Sequence, residues 1–328
     1  MRNLKFLSFF LVFILGQSSY SVANALNPQP FNITAADSVI IPFEIYKGLI
    51  FIEAEIDGQR GQFMLDTGSP TILLNSYRFS NLTKSKYTVT GVNGEIKDIQ
   101  SKFVKSLKVK EVEWNRFEAV AFDMIHLEQS CRRQLLGLLG YSAFKNFELM
   151  IDYQSKELTL FKLDKRGNRL QKSNAKPLKT ASFKMSKHLP VLDVMVDNIM
   201  LKLGIDTGAE INLLHKKWER KLYNHFLTHE EVQLGGASKK QKISFKLDFD
   251  EMEISNQRFI RMKTLIIDLS HLMNSYHIKV DGLLGYEFLS KSVISINFKK
   301  RELYFWKFIQ NNEDSKDKVK VKKQQSEA

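Results

Sequence analysis

One four-residue phrase occurs twice in this chain, and it constrains the fold more than any other feature. The first copy is Asp66-Thr67-Gly68-Ser69, entered from Phe63-Met64-Leu65. The second is Asp206-Thr207-Gly208-Ala209, entered from Leu203-Gly204-Ile205. Each runs on into apolar sequence, Thr71-Ile72-Leu73-Leu74 and Ile211-Asn212-Leu213-Leu214. An ionisable carboxyl at the end of a buried strand is costly unless it is paired or used. A single copy reads equally well as a plain strand-end turn; two copies in register ask for a common purpose.

The flanks repeat as well. Leu49 to Ile56 reads as a strand that turns at Asp57-Gly58 and returns into Asp66, and Leu189 to Val196 turns at Asp197-Asn198 and returns into Asp206. Downstream, Leu138-Leu139-Gly140-Tyr141 is echoed by Leu283-Leu284-Gly285-Tyr286. A closing hairpin, Phe147 to Tyr153 with Glu157 to Phe161, is echoed by Val293 to Phe298 with Glu302 to Trp306. Asp206 lies 140 residues after Asp66, while Tyr286 lies 145 after Tyr141 and Glu302 lies 145 after Glu157. The near-constant offset predicts two copies of one β-rich domain. Two copies are too few for a solenoid, so a pseudo-two-fold pair is the natural arrangement.

The expected organisation is a signal peptide over 1–25, a first domain over 26–163, a basic linker over 164–180, a second domain over 181–308 and a disordered charged tail over 309–328. Within the first domain, Leu26 to Asp37 reads as loose, and Val39 to Phe43, Val104 to Val112 and Phe117 to Phe122 as strands. Ser142-Ala143-Phe144 is a candidate short helix. Gly91-Val92-Asn93-Gly94 and Gly235-Gly236 mark tight turns at corresponding places in the two copies.

Arg2 and Lys5 precede the apolar run Phe6 to Leu15, too short to span a bilayer comfortably, and Ala23-Asn24-Ala25 offers a small-residue cleavage site. Export to a periplasm, cell envelope or extracellular space is therefore expected, with an uncleaved N-terminal anchor as the minor option. The single cysteine, Cys131, rules out an internal disulfide and is a poor candidate for a nucleophile. The net charge of +13 gathers in the linker, around Lys239-Lys240 and Lys242, and in the tail from Lys316 to Lys323. These clusters read as solvated loops and tails, with weak contact between the tail and an anionic membrane surface as the sharper alternative. Without aromatic interleaving or a recognised motif they do not point to nucleic acid. His225 and His229 have the spacing of one helical face if Lys217 to His229 is a helix. No acid lies between them in a zinc-protease pattern and no third ligand is evident, so neither a metal nor a cofactor is expected.

Two carboxylates brought together across a two-fold axis cannot both ionise at about 3 Å, so such a pair shares a proton. One member then serves as base toward water and the other as acid toward a carbonyl oxygen. The glycine after each threonine permits a tight turn that presents the carboxylate, and each threonine hydroxyl can bond across to the other copy. These motifs resemble the aspartic proteases, and the short domains are most similar to the retropepsin type. The resemblance covers about Val39 to Phe161 and Leu189 to Trp306. It implies an all-β fold of two tandem acid-protease (retropepsin-like) β-barrel domains related by a pseudo-two-fold axis, acting as an aspartic endopeptidase on a peptide or protein substrate. By the same resemblance Asp66 and Asp206 are catalytic and Thr67, Gly68, Ser69, Thr207, Gly208 and Ala209 support them. Leu138, Leu139, Gly140, Leu283, Leu284 and Gly285 match the family's structural motif, and a hairpin flap covers the cleft, for which the two glycine turns are the candidates. The halves are expected to pair within one chain as a monomer; assembly through a partner chain is the other arrangement, and a catalytically inactive peptide-binding envelope protein of the same fold is the other function. The copies differ at Ser69 against Ala209. A hydroxyl from Ser69 to its neighbouring carboxylate predicts Asp66 as the more readily ionised member and Asp206 as the proton holder.

Overall fold

Leu49–Ile56 is buried at its first four positions and alternates thereafter, and Leu189–Val196 repeats that burial sequence position for position. Both strands therefore start inside the fold, covered on both faces, and emerge with one face toward solvent. The first pairs with Gln59–Leu65 through the two-residue turn Asp57-Gly58, at φ 49° and 86°. Positive φ at both central positions is what a tight hairpin turn of matching twist requires. The second pairs in the same way with Ile199–Ile205.

In the computed structural model these hairpins belong to two tandem acid-protease-like β-barrel domains related by a pseudo-two-fold axis, and the chain is all-β with few helices. The structure describes residues 6–8, 12–15, 30–33, 36–91, 94–196, 198–222, 226–235, 242–270, 273 and 278–308. In each half a short Gly-Leu-Leu strand lies between two others. Gly137–Leu139 runs parallel to Gln59–Leu65 and antiparallel to Leu73–Asn75; Gly282–Leu284 does the same with Ile199–Ile205 and Asn212–His215. The packing leaves no room for a side chain at the leading glycine. A Cβ on Gly137 would lie 2.0 Å from the Leu73 carbonyl oxygen, and one on Gly282 would lie 2.1 Å from that of Leu213.

The halves share a six-stranded antiparallel sheet in the order Lys179–Ser182, Glu302–Phe308, Ser292–Asn297, Phe147–Asp152, Glu157–Lys162, Ser38–Pro42. At its centre Met150 pairs with Ser295, its own counterpart 145 residues on, so the pseudo-axis passes through that pair. Two ring contacts obey the same symmetry. Tyr141 meets Phe298 edge-on at 5.1 Å, and Tyr153 meets Tyr286 edge-on at 5.3 Å. The tyrosine of each Leu-Leu-Gly-Tyr run thus packs on the closing hairpin of the opposite half.

The basic segment after Lys162 is anchored at Arg169. Its guanidinium binds Glu148 and stacks over the Phe161 and Trp306 rings. Glu148 is buried at the shared sheet and also accepts from Ser295 Oγ at 2.6 Å and Asn297 Nδ2 at 3.2 Å. Removing the cation leaves a buried carboxylate without its counter-charge. Arg169→Met is therefore expected to lower unfolding free energy by about 3 kcal/mol in denaturant titration, with Arg169→Met/Glu148→Gln recovering most of the loss.

Several sequence expectations give way here. Pro30–Ile33, within the stretch expected to be loose, is an edge strand on Val112–Phe122. Val104 to Val112 is not one strand: Gln100–Val109 ends at a turn where Lys110 takes φ 51°, and Val112–Phe122 returns beside it. Of the segment 217–229, the described residues hold an α-helix at Glu219–Leu222, and His229 sits in the strand Phe226–Gly235 opposite Leu247. The i, i+4 spacing therefore does not describe a helical face, and His225 lies outside the described residues. The helix Ile125–Cys131 had no counterpart in the sequence reading; it is a single short element that buries Leu127 and Cys131. Gly91 and Gly94 end the paired strands Thr88–Gly91 and Gly94–Ile96, and Gly235 ends Phe226–Gly235, which pairs with Lys242–Ile254; Val92, Asn93, Gly236 and the charged tail lie outside the described residues. Two pieces of the apolar N-terminal run are strands: Phe6–Ser8 along Phe226–Gly235, and Val12–Leu15 along Thr88–Gly91. Among the described residues no helix is long and apolar enough to cross a membrane.

Candidate active site

The two Asp-Thr-Gly turns meet on the pseudo-axis, each tied into its own half by equivalent bonds. Asp66 N donates to Leu139 O and Asp206 N to Leu284 O, both at 3.0 Å. Tyr141 N donates to Ser69 O at 2.8 Å and Tyr286 N to Ala209 O at 2.9 Å. The Leu-Leu-Gly runs therefore buttress the turns: Leu139 and Leu284 hold the aspartates, and Gly140 and Gly285 let the following backbone close in. A Cβ on Gly140 would lie 2.2 Å from Thr71 O, and one on Gly285 would lie 2.5 Å from Ala209 O.

The turns are also tied to each other. Thr67 N donates to Thr207 Oγ1 at 3.0 Å, and Thr207 N donates to Thr67 Oγ1 at 3.1 Å. Each hydroxyl in turn donates to the strand that leads into the opposite turn, Thr207 Oγ1 to Leu65 O at 3.1 Å and Thr67 Oγ1 to Ile205 O at 3.4 Å. A threonine hydroxyl both donates and accepts, so two of them close a ring of four bonds across the axis. All of this is buried, with Asp66, Thr67 and Asp206 at 0% exposure.

The glycines have a reason that the sequence reading did not contain. Neither Gly68 nor Gly208 takes a positive φ. Each lies against the opposite carboxylate: a Cβ on Gly68 would sit 2.6 Å from Asp206 Oδ1, and one on Gly208 would sit 2.6 Å from Asp66 Oδ1. Close approach, rather than turn geometry, requires glycine here.

Each carboxylate has one anchored and one unbonded oxygen. Asp206 Oδ1 accepts from Gly208 N at 2.8 Å and Gly68 N at 3.2 Å, and Asp66 Oδ1 accepts from Ser69 N at 3.1 Å. The Oδ2 atoms of both are buried and make no hydrogen bond among the described residues. Burial raises both carboxyls above the ordinary range. Asp66 is pushed well up, with the neighbouring Asp206 adding to the effect of burial. Asp206 reaches about 6, where its backbone amides oppose burial. Side by side the two carboxyls cannot both ionise, so the pair holds one proton; Asp206, whose Oδ1 accepts from two backbone amides against one for Asp66, is the better placed to carry the charge.

That reverses the asymmetry read from Ser69. The Ser69 hydroxyl is buried and donates to Thr71 O at 3.2 Å instead of to a carboxylate; the backbone amide of Ser69 is the group that reaches Asp66. Ser69→Ala is accordingly expected to leave both limbs of a pH–rate profile in place. A displaced acid limb would show that the hydroxyl acts on the pair after all.

Three nearby residues had little or no signal in the sequence. His188 is buried and its ring Nε2 lies 2.8 Å from Gly68 O. Glu210, directly after Ala209, is pushed up to about 7 by burial against the pull of Lys47. Asn212 accepts from Gly285 N at 2.9 Å. Only alignment of the repeats could have flagged them, because each replaces a different residue type in the first copy: Gly48, Pro70 and Ile72. Cys131 is buried in the first domain, and burial pushes its thiol up to about 12, unsuited to nucleophilic work.

Two likenesses to known proteins bear on family and fold. A family model described as aspartyl protease matches residues 52–143 and 192–288, more than half of the chain and one match per repeat. Among solved structures the fold is similar to basic 7S globulin from soybean, with a TM-score of 0.51 at 9% sequence identity, covering 82% of this chain and 96% of that one. No curated protein matches the sequence.

Proposed function

The chain belongs to the aspartyl protease family, and from that premise we propose that it is an active aspartic endopeptidase whose single site is assembled from one aspartate of each repeat. The observation that carries the reading is the pair of buried carboxyls facing each other across the ring of threonine bonds, each with one oxygen anchored and its Oδ2 unbonded.

In this mechanism ionised Asp206 takes a proton from a water molecule as the water oxygen attacks the peptide carbonyl carbon, and Asp66 gives its proton to the carbonyl oxygen. The result is a neutral tetrahedral diol. Its collapse breaks the C–N bond, with a proton passed to the leaving nitrogen and one hydroxyl proton returned to the pair, so the dyad ends as it began. The amides of Gly68, Gly208 and Ser69 hold the non-reacting oxygens still throughout.

The substrate is a peptide or protein, and the two halves pair within one chain, which supports a monomer. The apolar N-terminal run supports export to a periplasm, cell envelope or extracellular space. Removal of residues 1–25 takes away the short strands Phe6–Ser8 and Val12–Leu15 and frees an edge on each hairpin.

The test is cleavage of a mixed peptide library across pH. With both carboxyls raised and one proton shared between them, activity is lost as pH falls and the base becomes protonated, and lost again at higher pH as the acid gives up its proton. The expected profile is a bell centred above that acid limb, described by two apparent constants of the pair. A protein that binds peptides but cleaves none at any pH is the inactive peptide-binding relative instead.

A further inference from the structure

The repeats differ most consequentially at a turn outside the Asp-Thr-Gly motifs. Tyr46-Lys47-Gly48-Leu49 corresponds to Ser186-Lys187-His188-Leu189, at the same offset of 140 as the aspartates. Both lysines take positive φ, 52° and 57°. In the first copy Gly48 is also left-handed, at φ +81°, and lies flat against Tyr286, where a Cβ would come within 2.5 Å of the ring. In the second copy a side chain takes that space: the His188 ring lies 6.5 Å from the Tyr141 ring and reaches Gly68 O at 2.8 Å.

A carbonyl oxygen can only accept, so the ring nitrogen facing it carries the proton. The bonded carbonyl belongs to the Gly68–Ser69 peptide group, and the N–H of that same peptide group donates to Asp66 Oδ1 at 3.1 Å. The chain of contacts is therefore His188 Nε2–H, Gly68 carbonyl, Ser69 amide, Asp66 carboxyl. A hydrogen bond accepted at the oxygen of an amide polarises it and makes its N–H a stronger donor. The first copy's turn, with a glycine in this place, has no side chain with which to do the same for Asp206.

We infer that His188 is a positioning residue for the dyad, which acts through the Gly68–Ser69 peptide group to hold that peptide in place and strengthen the hydrogen bond received by Asp66. This rests on the two-aspartate reading above. Among the groups facing His188 are Lys187 on its own turn, Tyr141 across the interface, itself under the charge of Arg301, and the Gly68 carbonyl. The ionisable group acting on Asp66 is Asp206. Burial holds the imidazole down to about 4, so above that pH it stays neutral. The device is a fixed donor across the working range of the proposed enzyme.

The sign of the effect follows. Losing the donor weakens the amide bond that favours ionised Asp66, so Asp66 keeps its proton to higher pH. His188→Leu removes the donor at similar bulk, and His188→Gln restores an amide N–H. Carbon-13 titration of the two aspartate carboxyls reads the pair without requiring turnover. In His188→Leu the upper apparent pKa of the pair is expected to rise by about 0.5. The basic limb of kcat should move with it, the acid limb and KM should stay, and His188→Gln should bring the upper value back to that of the wild type. A coupled pair whose titration is the same in wild type and His188→Leu overturns the inference and leaves the dyad standing. Two carboxyls titrating independently in the ordinary range of about 4 overturn both. Should His188→Leu not fold, nitrogen-15 spectra of the wild type decide: a protonated Nε2 at neutral pH is required, and the opposite tautomer sinks the inference.

Discussion

Asp66→Asn and Asp206→Asn should each lower kcat/KM on a cleaved peptide by at least about 1,000-fold, with the fold intact. The two losses arise differently. Asparagine at 206 removes the base that takes the proton from water. Asparagine at 66 removes the proton that the carbonyl oxygen receives, and an amide N–H is too weak an acid to replace it. The fold should survive because the backbone bonds that shape each turn, Asp66 N to Leu139 O and Asp206 N to Leu284 O, do not involve the carboxyls. Stability provides the control and has a definite sign. Both carboxyls are raised in the folded protein, so the native state binds more protons than the unfolded chain above pH 4 or so. The favourable contribution of the protonated groups is complete below the unfolded value and is lost as pH rises through the folded ones. Wild type should therefore lose stability as pH rises above about 4 and through the raised values of the pair, and either asparagine variant should lose less. A variant that is inactive and also melts well below wild type at neutral pH would mean that the loss of activity came from misfolding.

Gly208→Ala and Gly68→Ala are expected to lose both rate and stability, each through the opposite half. A methyl at 208 would sit 2.6 Å from Asp66 Oδ1 and 2.7 Å from its Cγ, and a methyl at 68 would sit at the same distances from Asp206. Neither carboxyl can step aside freely, because Asp206 Oδ1 is held by two amides and Asp66 Oδ1 by one. The halves must separate by a few tenths of an ångström or a carboxyl must turn, and either strains the ring of bonds between Thr67 and Thr207. Overpacking of this kind costs about 1–3 kcal/mol of stability, and displacement of a reacting group by up to about 1 Å costs about 100-fold in rate. Denaturant titration and kcat measured on the same preparations would show both. Wild-type activity in either alanine variant would mean that the two turns are not in contact in the working protein.

The repeat made much of this legible in the sequence. Asp66 and Asp206, the Leu-Leu-Gly-Tyr runs and the closing hairpins could be aligned because each must do the same job twice, and equal jobs keep equal spacing. The cross-bonding threonines followed from hydroxyl chemistry once the two-fold was assumed. Features that break the symmetry were hidden. His188 stands where the first copy has Gly48, so no pattern marks it, and its role depends on a carbonyl 120 residues away. Ser69 misled for a related reason: a hydroxyl beside a carboxylate suggests a bond between them, but local backbone geometry offers it the Thr71 carbonyl. The region around His229 misled because helical spacing in a short polar segment is a weak signal, and pairing with Lys242–Ile254 overrides it. Arg169 was one basic residue among many in a segment that reads as solvated, and only the buried Glu148 explains its position.

If the two repeats build one site, a double variant shows it most directly. Asp66→Asn, Asp206→Asn and the combined variant would be compared by kcat/KM on one peptide, with wild type alongside. Groups that act as a unit are not additive, so each single variant should fall to within about tenfold of the double. A single variant that keeps wild-type activity, or a double whose loss is the product of two independent losses, would contradict a shared site.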